Sequence, residues 1–261
     1  TFVPLPVMFF NKKIKNYRLA SEDEKLKLFK KNKVDFTINV NFNRKFSNIS
    51  AEDFISKIIY KNMKPRLLAV SKNFKFGKGR KGDIRLLKRL SNYYNYKLLR
   101  VKALNHTKRM ISSSKIRNHL KHGNINLANK LLSRTWFIEG KVIEGKKLGR
   151  KLGYRTCNIH VKNYILPKEG IYAVKVSIGN KKKMYAAVAY FGSRPTFKGK
   201  KIYLEINIFG INKNLYKKKM KVYFLKFLRG DKKFKSSKEL INQMNKDVIS
   251  AKKSLKTKLI L

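Results

Sequence analysis

The chain has 261 residues, of which 43% are hydrophobic and 12% aromatic, and it contains a single cysteine. This length and composition predict a folded protein with room for two modest domains, and they exclude a long disordered tail. One cysteine excludes an intrachain disulfide and a cysteine-rich zinc site. No stretch of the sequence resembles a secretory leader or a membrane-spanning apolar run, so we expect a cytoplasmic protein.

The formal net charge is +51, from 65 Lys and Arg residues against 14 Asp and Glu residues. Such an excess usually indicates a partner with many negative charges, either nucleic acid or an anionic membrane. Here the basic residues are spread over every segment and form no separate arm, which favours a bias of composition. We expect no membrane partner, and non-specific binding to nucleic acid stays open as a second hypothesis.

Residues 1–132 predict helices and strands in alternation. Ser21-Glu-Asp-Glu24 is a capping box that begins one helix, and Ser50 caps another. Alternating apolar residues from Phe36 to Phe42 predict a strand, and Leu67 to Val70 predict a second one. The alternation indicates an α/β domain in which helices cover a parallel sheet.

A glycine-rich loop follows the second of these strands and contains Gly77-x-Gly79-x-x-Gly82, the spacing of dinucleotide-binding loops. That fingerprint also requires an acidic residue about twenty positions later, and no Asp or Glu occurs from Ile84 to Ile138. A P-loop would need Lys-Ser or Lys-Thr after its last glycine, and this is also lacking. Two alternatives remain open, a basic loop near phosphates and an ordinary surface loop.

The stretch from Ile111 to Arg117 (ISSSKIR) begins another predicted helix. Hydroxyl groups and free backbone amides at a helix N-terminus, with an arginine one turn later, form a suitable site for an anion. A serine-rich cap without any ligand explains the stretch equally well.

Together these stretches resemble the FMN adenylyltransferase half of bacterial bifunctional riboflavin kinase/FAD synthetases. The matching segments are Asn73 to Asp83 and Ile111 to Arg117. The resemblance implies that Asn73 lies at the nucleotide or flavin site. It also implies that the triphosphate is held by Ser112, Ser113 and Arg117.

One departure from that family concerns its His-x-Gly-His element, which stabilises the pentavalent phosphorus and does not occur in this sequence. The stretch from Thr1 to Pro6 also has the pattern of a strand end that continues into a loop. We therefore expect residues 1–132 to be an N-terminally incomplete domain that, as written, does not transfer an adenylyl group.

Residues 134–261 predict short strands separated by turn signals. The predicted strands are Phe137 to Ile143, Gly170 to Ile178, Lys183 to Phe191, Ile202 to Phe209 and Met220 to Leu225. Strands at this spacing indicate a closed antiparallel barrel. Ser236-x-x-Glu239 then caps a terminal helix whose apolar side is expected to pack on the barrel.

The stretch from Gly145 to Asn158 (GKKLGRKLGYRTCN) carries the residue types of phosphate and magnesium chemistry. Its three glycines let backbone amides approach an anion, and the interleaved basic residues supply charge. Thr156 and Asn158 offer oxygen ligands to a hard cation. The alternative is a solvated basic turn, which composition alone favours because lysine is common throughout the chain.

The order of strand, glycine loop, Thr-Cys-Asn and the later Leu166-Pro-Lys-Glu-Gly-Ile-Tyr172 resembles the ATP-binding signature of riboflavin kinase. The family's Pro-Thr-Ala-Asn is here Arg155 to Asn158, so both oxygen-bearing positions are kept. The resemblance implies Mg²⁺ binding by Thr156 and Asn158. The ATP-binding residues that it implies are Gly145, Lys146, Gly149, Arg150, Gly153 and Thr156.

A later strand, Leu204-Glu205-Ile206, is similar to a strand of riboflavin kinases whose glutamate acts as the general base. Strand alternation places Glu205 on the face opposite to its two neighbours. Without the resemblance, Glu205 would be interpreted as a solvated ion-pair partner. By the same resemblance, the flavin-binding residues are Arg194, Thr196 and Arg229. The expected reaction is the Mg-ATP-dependent phosphorylation of riboflavin to FMN.

Overall fold

The structure, a computed structural model, describes residues 1–102, 105–106, 109–144, 153–179, 183–196 and 199–256. For residues 105–106, 109–110, 193–196 and 199–201, only the backbone is described. The described helices, in chain order, are α1 (Pro6–Phe10), α2 (Glu22–Lys31), α3 (Arg44–Ser47), α4 (Ala51–Asp53), α5 (Ile84–Leu90), α6 (Ser113–Lys121), α7 (Ile125–Leu132) and α8 (Ser237–Lys256). A π-helix (Phe54–Lys61) continues α4, and a 3₁₀ turn spans Lys78–Arg80.

The described strands fall into two groups. The first is β1 (Phe2–Val3), β2 (Val40–Asn41), β3 (Leu67–Ser71), β4 (Lys97–Val101), β5 (Asn105–His106) and β6 (Arg109–Met110). The second is β7 (Phe137–Ile143), β8 (Cys157–Ile159), β9 (Gly170–Ile178), β10 (Met184–Thr196), β11 (Gly199–Ile208) and β12 (Lys219–Arg229). None of the helices within the described ranges is both long and apolar enough to cross a membrane.

The contacts of the chain divide it into two compact units. Unit 1 comprises Thr1–Ile14 and Val34–Ile111, and unit 2 comprises Lys15–Lys33 and Ser112–Leu261. This division differs from the sequence prediction, which placed the boundary between residues 132 and 134. The difference arises because α2, α6 and α7 make their packing contacts within unit 2.

Unit 1 is built on parallel strand pairs, as the alternation of helices and strands predicted. β1 pairs in parallel with β2, and β3 with β4. The strand predicted from Phe36 to Phe42 is realised only at Val40–Asn41, where β1 offers two residues for pairing. Phe36 is 90% exposed.

The glycines of the Gly-x-Gly-x-x-Gly loop are explained by packing inside unit 1. Gly77 has φ +71°, and a Cβ there would lie 2.7 Å from the backbone of Ala51. A Cβ on Gly82 would lie 2.5 Å from the ring of Phe76. Asp83, the next residue, caps α5 by accepting hydrogen bonds from the backbone amides of Arg85 and Leu86, and these bonds lower the pKa of its carboxyl to about 2. Packing therefore explains Gly77 and Gly82, and capping explains Asp83. A role of this loop near phosphates stays a prediction.

Unit 2 is dominated by the predicted barrel. Its strands close in the order β10-β11-β8-β7-β12-β9, and all neighbouring pairs are antiparallel. β7 and β9 have the predicted bounds, whereas β12 continues to Arg229. The prediction of a closed antiparallel barrel is confirmed.

Two helices of unit 2 are held by specific contacts. The carboxylate of Glu24 in α2 lies 2.8 Å from the guanidinium of Arg134, and burial raises the pKa of Glu24 to about 7. The terminal helix α8 packs on β9, β10 and β12. It begins after Ser236, whose hydroxyl accepts a hydrogen bond from the amide of Glu239 as predicted.

Candidate active site

A row of side chains crosses the outer side of the barrel. Asn158 on β8 lies directly opposite Glu205 on β11, and Glu205 lies directly opposite Tyr190 on β10. Tyr190 lies opposite Ile171 on β9, which lies opposite Arg229 on β12. Residues directly opposite each other in antiparallel strands have Cβ atoms about 5 Å apart, on the same face of the sheet. The closed barrel thus brings residues from five strands into one row.

Glu205 occupies the face that its sequence context predicts. Its neighbours Leu204 and Ile206 are fully buried in the barrel interior, whereas Glu205 is only partly buried. Gly170, at the start of β9, lets two strands come close together near the same row, because a Cβ at this position (φ +144°) would lie 2.2 Å from the carbonyl oxygen of Arg229. The backbone here therefore requires glycine.

A cavity of about 350 Å³ lies against the row. This volume lies within the range of small-molecule sites, about 300–1,000 Å³. Polar groups on its barrel side include Thr156, Tyr190, Glu205 and Asn207. Its opposite wall is mainly apolar and is formed by Phe234, Leu240, Met244 and Val248. A flat, largely apolar ring with one polar end would match this distribution.

Thr156 and Asn158 present two oxygen ligands next to Glu205. Asn158 lies in β8, Thr156 directly precedes this strand, and Thr156 lines the same cavity as Glu205. Asn158 is only 7% exposed and lies directly opposite Glu205. A neutral amide oxygen, a hydroxyl oxygen and a nearby carboxylate form the kind of donor set that a hard cation such as Mg²⁺ binds. The residues present therefore fit the metal that the sequence predicted.

The glycine loop is anchored at both ends beside these two residues. Ile143, the last residue of β7, lies directly opposite Asn158, and the loop returns through Gly153 and Tyr154 to Thr156. The predicted ATP-binding residues Gly145, Lys146, Gly149 and Arg150 lie outside the described residues. Gly153 has φ +81°, a left-handed conformation that suits glycine. The hydroxyl of Tyr154 donates a hydrogen bond to the amide oxygen of Asn245 in α8.

A second cavity, of about 260 Å³, shares Thr156 with the first. It is lined by Val142, Arg155, Cys157, Ile206, Ile208 and the segment Ile211 to Tyr216. Burial raises the pKa of the Cys157 thiol to about 12, so this side chain acts as a small apolar group rather than a nucleophile. Thr156 thus lines both cavities.

Two of the three predicted flavin residues are placed only through their backbone. Arg194 and Thr196 lie at the end of β10, opposite Lys201 and Gly199 of β11. Their side chains lie outside the described residues. The third residue, Arg229, lines the first cavity.

Arg229 forms a two-point ion pair with a residue that the sequence analysis missed. Its Nε and Nη2 atoms lie 2.8 and 2.6 Å from the two carboxylate oxygens of Asp247 in α8. The sequence did contain a signal for this aspartate, because it stands on the same helix face as Leu240 and Met244. A carboxylate in an apolar stripe needs a buried partner.

The predicted adenylyltransferase residues are divided between the two units. Asn73 is exposed in the turn after β3, in unit 1. In unit 2, Ser112 caps α6 by accepting a hydrogen bond from the amide of Lys115, and Ser113 is the first residue of that helix. Arg117 stacks on Tyr17, with 3.8 Å from its Cζ atom to the ring centre, and donates to the Tyr17 carbonyl. Their role in nucleotide binding stays a prediction.

Comparison with known proteins relates both halves of the chain to flavin nucleotide synthesis. A family model for riboflavin kinase matches residues 132–255, and one for FAD synthetase matches residues 1–115. A bifunctional riboflavin kinase/FMN adenylyltransferase of Buchnera aphidicola (from Schizaphis graminum) is 37% identical over 255 residues, which cover 97% of this chain and 81% of that protein. The protein of the same name from Escherichia coli K12 is 33% identical over 251 residues, covering 96% and 80%.

A solved structure from Streptococcus pneumoniae, titled as a macrolide-efflux protein, has the same fold. Its TM-score is 0.82 at 28% sequence identity, and the match covers 97% of this chain and 82% of that one. The identity and coverage of the two bacterial relatives are sufficient to assign a family. The chain belongs to the family of bifunctional riboflavin kinase/FMN adenylyltransferases.

Proposed function

We propose that this protein is a riboflavin kinase, which transfers the γ-phosphoryl group of Mg-ATP to the 5′-hydroxyl of riboflavin and gives FMN. The observation that carries the proposal is the register of the barrel, which sets Asn158 directly opposite Glu205 beside a cavity of suitable size. The family match over residues 132–255 supports the same activity. The nucleic-acid-binding alternative receives no support from the comparisons.

The phosphate groups of ATP belong at the glycine loop. Phosphoryl transfer depends mainly on positioning and charge neutralisation, so backbone amides and basic side chains are the groups that it needs. Both ends of the loop lie beside Thr156 and Asn158. We therefore assign Gly145, Lys146, Gly149, Arg150 and Gly153 to the phosphates.

Thr156 and Asn158 would hold Mg²⁺ by their side-chain oxygens. When bound, the ion neutralises charge on the phosphate oxygens as the phosphoryl group leaves. Asn158 is only 7% exposed, so its side chain has little freedom and the chain would need little rearrangement to offer this ligand.

Glu205 is assigned as the general base. A carboxylate in this position would accept the proton of the riboflavin hydroxyl as the oxygen attacks phosphorus. Its Cβ atom is about 5 Å from that of Asn158, because the two residues are direct cross-strand partners. The attacking oxygen and the phosphate would thus be brought to adjacent positions on the same face of the barrel.

The two cavities suggest where the two substrates extend from this point. The hydroxyl must reach Glu205, which lines the larger cavity, so the flavin ring belongs between the barrel and the apolar side of α8. Arg194, Thr196 and Arg229 are proposed to contribute to this flavin site. The ATP base then extends from Thr156 into the smaller cavity, which Glu205 does not line.

The test is incubation of the whole chain with riboflavin and Mg-ATP, followed by chromatographic separation of riboflavin, FMN and FAD. We expect FMN to accumulate with one ADP released for each FMN formed. Riboflavin recovered unchanged would contradict the proposal.

The same separation tests a second activity, adenylylation of FMN, which the FAD synthetase match over residues 1–115 favours. Because these 261 residues contain no His-x-Gly-His, we predict FMN without FAD. A growing FAD peak would show that adenylyl transfer takes place without this element.

A further inference from the structure

The terminal helix α8 is tied to the barrel by a directional ion pair. Arg229 on β12 approaches both oxygens of Asp247, with distances of 2.8 and 2.6 Å, and its third nitrogen donates to the carbonyl of Gly230 at 2.8 Å. The amide of Gln243 donates to the same carboxylate at 2.9 Å. Asp247 is only 6% exposed. Each of the three guanidinium nitrogens thus donates one hydrogen bond within the protein, and each carboxylate oxygen accepts at least one.

The position of the pair links the two walls of the larger cavity. Arg229 belongs to the same cross-strand row as Glu205 and Tyr190, which form the barrel side. Asp247 stands on the helix face that carries Met244 and Val248, which form the opposite wall. The distance between the two walls therefore depends on the length and direction of this contact.

A buried ion pair is weak support for the stability of a fold, because desolvation of both charges offsets most of their attraction. What a guanidinium and a carboxylate supply is geometry, since two parallel hydrogen bonds hold their planes in one orientation. The side of α8 that faces the cavity is otherwise mainly apolar, and apolar contacts alone allow sliding. Tyr154 also donates a hydrogen bond to Asn245 of α8, but this is a single contact. The ion pair therefore sets the position of the helix more than it stabilises the unit.

We propose that Arg229 and Asp247 are positioning residues for riboflavin. They hold the apolar face of α8 at the distance from the barrel that accepts the flavin ring. Their effect on the reaction is therefore indirect, through the position of this helix. This inference rests on the proposed function, because it takes the ring to occupy the larger cavity. It also assigns Arg229 a defined way of contributing to the flavin site, through Asp247.

The test is Asp247→Asn, which keeps the shape of the side chain and removes its charge. We expect the KM for riboflavin and its Kd, measured by flavin fluorescence, to rise about tenfold, since a wall shifted by a fraction of an ångström misplaces the ring. The kcat at saturating riboflavin should change less than about threefold, and the KM for ATP less than about twofold. An unchanged riboflavin KM and Kd would overturn the proposal.

Two further variants separate positioning from general destabilisation. Arg229→Lys keeps the charge but loses the two-point contact, so its riboflavin KM should rise by an intermediate, roughly threefold factor. Glu24→Gln is the matched control, because it also removes a buried carboxylate paired with an arginine in unit 2 but does not line the cavity. Equal shifts of riboflavin KM in Glu24→Gln and Asp247→Asn would overturn the positioning role.

The binding measurement keeps this inference distinct from the proposed function. If the wild-type chain binds riboflavin but makes no FMN, the kinase proposal fails while the Kd shift still decides the positioning role. If the wild-type chain does not bind riboflavin at all, both are overturned.

Discussion

The two compact units place their predicted site residues in different ways. In unit 2, Thr156, just before β8, and Glu205, on β11, line one cavity, and Asn158 lies in the same cross-strand row as Glu205. In unit 1, Gly77 and Gly82 are required by close packing, and Asn73 lies exposed in a turn. Two glycines of the spacing in unit 1 therefore have a packing reason that the sequence pattern does not reveal. Closure of a hydrogen-bonded barrel, by contrast, brings distant residues into a defined register.

The units also differ in how well they cover their apolar residues. The barrel buries Leu204, Ile206 and Phe224 completely. In unit 1, Phe36 is 90% exposed and Leu67 is 55% exposed. We therefore expect the more cooperative unfolding transition to belong to unit 2.

The largest effect is expected when the proposed base is removed. Glu205→Gln should lower kcat for FMN formation roughly a thousandfold, within the 10²–10⁴ contribution of a positioned general base, and leave riboflavin binding little changed. Asn73→Ala, the matched change at the signature residue of unit 1, should leave FMN formation unaffected. Turnover assays on both variants check the comparison, and normal turnover of Glu205→Gln would rule out the role of this residue.

A pair of glycine substitutions tests whether the units are independent. Gly170→Ala combines a strained backbone with a clash against the Arg229 carbonyl, so it should destabilise unit 2 by roughly 4 kcal/mol and reduce FMN formation. Gly77→Ala should destabilise unit 1 and leave the kinase reaction intact. Denaturant unfolding followed by the assay measures both effects. Loss of FMN formation in both variants would show that the units fold as one.

A pH-dependent contribution to stability is expected from Glu24, which unit 2 holds against the barrel. Burial raises the pKa of Glu24 from 4.5 to about 7. The positive charges of Arg134 and Lys221 lower this pKa, and the negative charge of Glu139 raises it, but burial has the largest effect. The folded state then binds the proton more tightly than the unfolded state, so the stability contributed by Glu24 is full below pH 4.5 and is lost as the pH rises to about 7.

Between pH 4.5 and about 7, the free energy of unfolding should fall by about 3 kcal/mol more in the wild type than in Glu24→Gln. This value follows because a shift of one pKa unit corresponds to about 1.36 kcal/mol. Urea unfolding of both proteins at a series of pH values measures this difference. Parallel pH profiles would show that Glu24 remains ionised in its ion pair.

The smallest effect is expected at the proposed metal site. Asn158→Leu fills the same space without an oxygen, so the Mg²⁺ concentration needed for half-maximal FMN formation should rise about tenfold. A magnesium titration of the reaction rate measures it. An identical Mg²⁺ requirement in the variant and the wild type would remove Asn158 from the metal site.

Sequence reasoning was most successful where a feature depends on local periodicity. The bounds of β7 and β9, the capping by Ser21 and the outward face of Glu205 all follow from alternation or from short-range hydrogen bonds. It was least successful where long-range packing decides. The strand from Phe36 was predicted by its alternation, but it needs a partner strand to form. Docking of α2 in unit 2 involves the contact of Glu24 with Arg134, far along the chain, and the residue Leu19 before the helix accepts a hydrogen bond from Trp136.

The candidate site shows the same limit. Motifs identified Thr156, Asn158 and Glu205 singly, but their meeting depends on the register of β8 and β11, which no local pattern specifies. Asp247 was missed because a single carboxylate in the apolar stripe of a helix does not reveal its partner. The structure supplies that partner, Arg229, from a strand that was predicted to be shorter.

The central claim is that the barrel transfers the terminal phosphoryl group of ATP to riboflavin. The most direct measurement is a reaction of the whole chain with riboflavin and ATP labelled either at the γ-phosphate or at the α-phosphate, followed by isolation of the flavin products. The structure predicts that γ-label enters the flavin as FMN in equal amount to the ADP released. Flavin that carries no γ-label after complete incubation would contradict the claim.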